Sequence, residues 1–127
     1  MYVANGGANG DSPGTVSVIN AVACNGTITT GCHRRFPTVA TGRFPVSLAL
    51  DPRTGILYVT DLNNATVTIL NGTRCNATVT SGCRKTPPEQ AVGSEPLGVA
   101  LNPRTRTVYV TDRLQPGSLS IFKTTQH

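Results

Sequence analysis

The chain repeats itself at an interval of 51 residues. Cys24 and Cys32 return as Cys75 and Cys83, and Pro45 returns as Pro96. Leu-Ala-Leu-Asp-Pro-Arg-Thr at 48–54 returns as Val-Ala-Leu-Asn-Pro-Arg-Thr at 99–105. Tyr58-Val-Thr-Asp61 returns as Tyr109-Val-Thr-Asp112, and a further copy opens the chain as Tyr2-Val-Ala-Asn5. A fixed interval in this range marks an array of supersecondary units that bury their apolar faces against one another. The 127 residues hold about two and a half copies, so the chain is expected to be part of a larger array.

Each unit contains four short apolar stretches. In the complete copy they fall at Val46–Leu50, Ile56–Thr60, Thr66–Leu70 and roughly Gln90–Val92. The middle two alternate, with Leu57 and Val59 on one face and Val67 and Ile69 on one face of their own strands. The connectors carry turn chemistry: Asp51-Pro-Arg-Thr-Gly55, Asn102-Pro-Arg-Thr-Arg106, Asp61-Leu-Asn-Asn64 and Asp112-Arg-Leu-Gln-Pro-Gly117. In the first copy the second connector lengthens to Asn5-Gly-Gly-Ala-Asn-Gly-Asp-Ser-Pro-Gly14. Aromatic residues make up only 5% of the chain, and no stretch carries a helix signal. Four antiparallel strands per repeat of this length are the cue for a β-propeller blade. The expected fold is therefore all-β, a partial propeller. Residues 1–42 would be a partial blade (strands B–D), 43–93 a complete blade, and 94–127 a partial blade (strands A–C). Val46, Leu48 and Leu50, with Leu97, Val99 and Leu101, are expected to pack between neighbouring sheets. The end sheets each lack a neighbour.

The motifs resemble the bacterial YVTN β-propeller repeat family. The resemblance is carried by Pro45-Val-Ser-Leu-Ala-Leu-Asp-Pro52, Tyr58-Val-Thr-Asp61 and Asn64-Ala-Thr-Val-Thr-Ile-Leu70. It extends to Pro96-Leu-Gly-Val-Ala-Leu-Asn-Pro103 with Tyr109-Val-Thr-Asp112, and to Tyr2-Val-Ala-Asn5 with Thr15-Val-Ser-Val-Ile-Asn20. It implies a closed ring of blades, completed by further blades from the same parent chain or another subunit. Propellers of this kind and their relatives include binding scaffolds, surface proteins and lactonase or lyase enzymes, so the fold alone does not choose the activity.

Both cysteine pairs read Cys-x7-Cys and lie between the third and fourth strands of their units. Three pairings are open. Because repeats should close alike, Cys24–Cys32 and Cys75–Cys83 are the expected disulfides. Each short loop would restrict the unfolded chain by roughly 2.5 kcal/mol. A zinc site is the rival, but its ligand pairs are usually spaced more closely; free thiols are the remaining alternative. Disulfides imply an oxidising, extracytoplasmic location. Met1 leads straight into a strand-like segment, so no signal peptide is read in this chain, and no apolar run is long enough for membrane insertion.

Candidate chemistry is sparse. His33 and His127 have no neighbouring carboxylate and no repeating partner, so no metal, cofactor or catalytic residue is expected. The run Gly6-Gly-Ala-Asn-Gly10 lacks the Lys-Ser/Thr ending of a phosphate loop and reads as a long connector. Asn25, Asn64, Asn71 and Asn76 each begin an Asn-x-Thr triplet that matches the N-glycosylation acceptor, read here as coincidence in a chain rich in turn Asn and strand Thr. Asp61, Asp112 and Asn5 end the second strand of their copies. They are expected to accept hydrogen bonds from the following turn, or else to ring the mouth of a central channel.

Charge has a sharper pattern. Successive connectors of an antiparallel meander alternate between ends of the sheet. One end then collects Arg34, Arg35, Arg53, Arg74, Arg84, Lys85, Arg104, Arg106 and Lys123, nine of the eleven Lys and Arg residues. Asp51 and Glu89 are its expected acids. The other end holds Arg43 and Arg113 with Asp11, Asp61, Glu95 and Asp112. A basic end of this kind suits an anionic polymer or a protein partner. Arg34, Arg35, Arg53, Arg84, Lys85 and Arg104 are its leading candidates. The expected function is a non-catalytic extracytoplasmic binding scaffold. The alternative is part of a lactonase or lyase propeller whose catalytic residues lie in other blades.

Overall fold

A computed structural model of the chain describes residues 1–6, 12–113 and 118–124. The tips of the connectors after Asn5 and Asp112, most of the glycine-rich run, Asp11 and His127 lie outside the described residues. Ten strands are present among the described residues: β1 (Tyr2–Asn5), β2 (Pro13–Val18), β3 (Thr38–Arg43), β4 (Pro45–Leu50), β5 (Ile56–Asp61), β6 (Thr66–Asn71), β7 (Glu89–Ala91), β8 (Pro96–Asn102), β9 (Thr107–Asp112) and β10 (Ser118–Lys123). They form three antiparallel sheets ordered β1-β2-β3, β4-β5-β6-β7 and β10-β9-β8, called here sheets 1, 2 and 3. The three-four-three grouping follows the phase of the repeat. Strand β3 runs to Arg43, one residue past the expected 42/43 boundary, and β7 begins one residue earlier than expected.

Sheet 2 is the centre of the molecule because both of its faces are covered. Every residue of β5 is buried. Its period of two sends Leu57 and Val59 into one core with Val16, Val18 and Val39 of sheet 1. Ile56 and Tyr58 enter a second core with Val67 and with Val108 and Val110 of sheet 3. Full burial of an aliphatic side chain contributes about 1.5–3 kcal/mol, so these two seams dominate the stability. The Tyr58 and Phe122 rings meet in a tilted arrangement with centroids 6.0 Å apart. Leu48 flanks the first core, and Val99 and Leu101 flank the second. Leu50 and Leu97 depart from the expected packing and stay exposed at 47% and 44%.

Polar groups bridge the same seams. The Tyr2 hydroxyl donates to the Cys75 carbonyl at 2.8 Å, tying sheet 1 to sheet 2. The buried Thr60 hydroxyl lies 3.0 Å from the Leu97 carbonyl, tying sheet 2 to sheet 3. The corners entering β4 and β8 use one device: Phe44 and Glu95 adopt φ of 56° and 52°, and their carbonyls accept from the Leu62 and Arg113 amides. The following prolines lack an N–H and stand at the starts of their strands, where no ladder bond is lost.

The two cysteine pairs are disulfides, Cys24–Cys32 and Cys75–Cys83. Each closes onto a short 3-10 turn, Thr30–His33 or Ser81–Arg84, which the repeat did not foretell. No helix among the described residues is long and apolar enough to cross a membrane.

Candidate functional site

Antiparallel pairing puts the β2–β3, β4–β5, β6–β7 and β8–β9 connections at one end of the sheets. Side-chain caps give these connections their shape. Asp51 Oδ1 accepts the Arg53 amide at 2.9 Å, and Asn102 Oδ1 accepts the Arg104 amide at 3.0 Å. In the disulfide loops Asn25 Oδ1 accepts from the Thr27 and Ile28 amides, and Asn76 Oδ1 from the Thr78 and Val79 amides. Asn71 Oδ1 accepts from the Thr73 amide. Three of the four Asn-x-Thr triplets thus use the asparagine to build a local turn, as Asx chemistry does. Gly31 and Gly82 are required where they stand, because a Cβ there would lie 2.6 Å from Ala23 or Arg74.

Cations follow directly. Beyond each 3-10 turn the backbone extends, and Arg34, Arg35, Arg84 and Lys85 are exposed. Arg53, Arg74, Arg104 and Arg106 are exposed on the neighbouring turns, as is His33. Among the described residues the one ion pair, Arg113 to Glu95 at 3.7 Å, lies at the opposite end. Glu89 does not serve the basic end as expected. Its carboxylate reaches along β7 toward the start of β6, where Oε1 accepts from Thr66 at 3.0 Å and Asn64 at 3.4 Å. Asp51, 3% exposed, is left as the carboxylate of the basic end.

One cleft at this end lies between the β4–β5 and β8–β9 turns. It measures about 170 Å³ and is lined by Asp51, Arg53, Thr54, Pro103, Arg106 and Thr124. Arg53 Nη1 donates to the Pro103 carbonyl at 3.0 Å, which holds the side chain across the gap. Lys123 stands nearby, its Nζ donating to the Thr105 carbonyl at 3.3 Å.

At the other end, Asp61 and Asp112 are buried. The expected bonds from the following turn's amides are not what holds their carboxylates. Asp61 Oδ2 accepts from the hydroxyls of Thr68 at 2.6 Å and Thr66 at 3.1 Å, and Asp112 Oδ2 from Ser120 at 2.7 Å and Ser118 at 3.2 Å. Asn5 repeats the arrangement as a donor, to Thr15 Oγ1 at 3.1 Å and Ser17 Oγ at 2.8 Å. Each carboxylate presses on a glycine at the end of the preceding unit, Gly42 in β3 and Gly93 in the bend after β7: a Cβ on Gly42 or Gly93 would lie 2.8 or 2.6 Å from the Asp61 or Asp112 Cγ. These residues form a joint between sheets. The glycines, also 51 residues apart, are the sequence signal that marks it.

The Asp61 joint carries an added tension. The single Thr66 hydroxyl proton faces two carboxylates, Asp61 and Glu89, and Asp61 Oδ1 is buried without a hydrogen-bond partner. Burial foremost, with the Glu89 charge adding to it, outweighs the hydroxyl bonds and pushes the Asp61 pKa up to about 6. Among the described residues no three His, Cys, Asp or Glu side chains gather where a metal ion could sit. A scan against protein-family models and a search of curated proteins return no match to this chain.

Proposed function

We propose that the chain is a non-catalytic, extracytoplasmic β-propeller binding module of the YVTN type that docks an anionic polymer at its basic loop end. The observation that carries this reading is a surface of exposed cations that, among the described residues, form no ion pair with a carboxylate. Arg34, Arg35, Arg84 and Lys85 stand on disulfide-held loops, and Arg53 and Arg104 on capped turns beside them. Charges held apart from carboxylates on short, braced loops keep their field for a ligand. The two disulfides support an oxidising compartment. Like faces stacked sheet upon sheet support the propeller, and the remaining blades are its structural partners. Leu119 and Ile121 of sheet 3, exposed at 49% and 57%, occupy the places that Val67 and Ile69 hold in sheet 2 against their neighbour.

The test is retention of the 127-residue chain on heparin across a salt series. Retention that weakens steeply with salt, and weakens further when Arg34, Arg35, Arg84 and Lys85 are changed to Gln, supports the proposal. Retention unaltered by those four changes refutes it.

A further inference from the structure

The cleft between the β4–β5 and β8–β9 turns combines groups that a merely basic surface would not. We infer that it is a subsite for one acidic sugar unit, its carboxylate or sulfate held by Arg53 and Arg106 and a ring hydroxyl given to Asp51. This rests on the reading of the basic end as a polymer-binding surface and names the polymer as an acidic polysaccharide.

The volume, about 170 Å³, is below the roughly 300–1,000 Å³ of sites for drug-sized ligands, so the cleft takes one small unit of a longer chain. Arg53 is already positioned by its bond to the Pro103 carbonyl. A guanidinium has five N–H donors, so four remain for an anion, in the forked geometry that carboxylates and sulfates match. Arg106 occupies the place that Gly55 holds one repeat earlier. Gly55 has φ 75°, and Arg106 keeps nearly the same backbone at φ 57°. Glycine adopts that conformation freely and arginine does not. Local stability therefore does not account for an arginine there, whereas its place on the cleft wall opposite Arg53 does.

Asp51 discriminates between polymers. It is nearly buried, with Oδ1 taken by the Arg53 amide, and it lines the same cleft as the two guanidiniums. A phosphodiester backbone presents acceptors, which a carboxylate repels. An acidic sugar presents an anionic group beside hydroxyl donors, which pairs with both charges at once. Stacking of bases would call for exposed aromatic rings, and among the described residues no aromatic side chain lines the cleft.

The experiment is amide chemical-shift mapping on the 127-residue chain with two probes, a sulfated uronic disaccharide and a short oligothymidylate. The expected result is that the disaccharide shifts the amides of Arg53, Thr54 and Arg106 and the oligonucleotide does not. Arg106→Gly should weaken disaccharide binding about tenfold or more, the worth of a charge-assisted contact. That variant places at 106 the residue already found at 55, so an unchanged or raised melting temperature shows that folding is not the cause. Equal shifts from the oligonucleotide, or undiminished binding by Arg106→Gly, overturn the inference. Heparin retention that depends on Arg34, Arg35, Arg84 and Lys85 without disaccharide shifts at the cleft would overturn the subsite and leave the basic surface standing. Disaccharide binding at the cleft without heparin retention would do the reverse.

Discussion

Replacing Asp61 with Asn should stabilise the protein at neutral pH and remove a pH dependence that the wild type shows. Asp61 is fully buried, and its pKa rises from 3.8 to about 6. The folded chain therefore holds that proton more tightly than the unfolded chain. Stability contributed by the protonated form is complete below about pH 3.8, falls as pH rises to about 6, and is fully lost above it. A separation of slightly more than two pKa units, at about 1.4 kcal/mol each, makes the cost about 3 kcal/mol at neutral pH. An uncharged amide in that place avoids the cost and can still serve the two hydroxyls, as Asn5 serves Thr15 and Ser17. Urea unfolding followed by far-ultraviolet circular dichroism gives the stability of each form at several pH values. The difference between Asp61→Asn and wild type should approach about 3 kcal/mol in favour of the variant near pH 8, and shrink as pH falls toward 4. Titrating groups that do not interact with Asp61 cancel in that difference; Glu89, which shares the Thr66 hydroxyl, does not, and repeating the comparison in a Glu89→Gln background removes its share. A gap that stays constant with pH, or a variant less stable than wild type near pH 8, refutes the reasoning.

Two further outcomes are expected. Gly93→Ala places a Cβ 2.6 Å from the Asp112 carboxylate and should cost about 1–3 kcal/mol, read as a lower urea midpoint; Gly26→Ala, with nothing within 4 Å, is the control. Changing Cys75 and Cys83 to Ser should lower the melting temperature more than changing Cys24 and Cys32. Both pairs lose about 2–3 kcal/mol of loop restriction, but only the first pair is buried in the core between sheets 1 and 2; equal losses would show that the loops act through the unfolded chain alone.

The strands were legible because their signals are local. Leu57 and Val59 alternate with Ile56 and Tyr58, and the Asp51 and Asn102 turns announce themselves within five residues. The repeat then fixed which strands share a sheet and which cysteines pair. What stayed hidden depends on contacts between sheets. Glu89 lies at the edge of a basic loop in sequence, yet its side chain is drawn along β7 to Thr66 and Asn64. Asp61 stands beside a turn, yet its partners are hydroxyls of the next strand and the bare backbone of Gly42 in another sheet. The 3-10 turns are too short to carry a periodicity, and are set by the disulfide loops that enclose them. Arg106 was visible as one cation among many; only its backbone angle and its place opposite Arg53 single it out.

The glycines at the sheet joints also constrain the order in which this sequence can change. Asp61 or Asp112 can become Asn in one step, because the first copy already works with Asn5. Gly42 or Gly93 cannot gain a side chain while a full carboxylate stands less than 3 Å away. The acid must shorten first, beyond the equally long Asn, and at Gly42 the Glu89 carboxylate, 2.7 Å from the added Cβ, must give way as well before the glycine is free to vary. The pair is thus coupled with a direction, and one of the two mutational routes between the same endpoints passes through a destabilised chain.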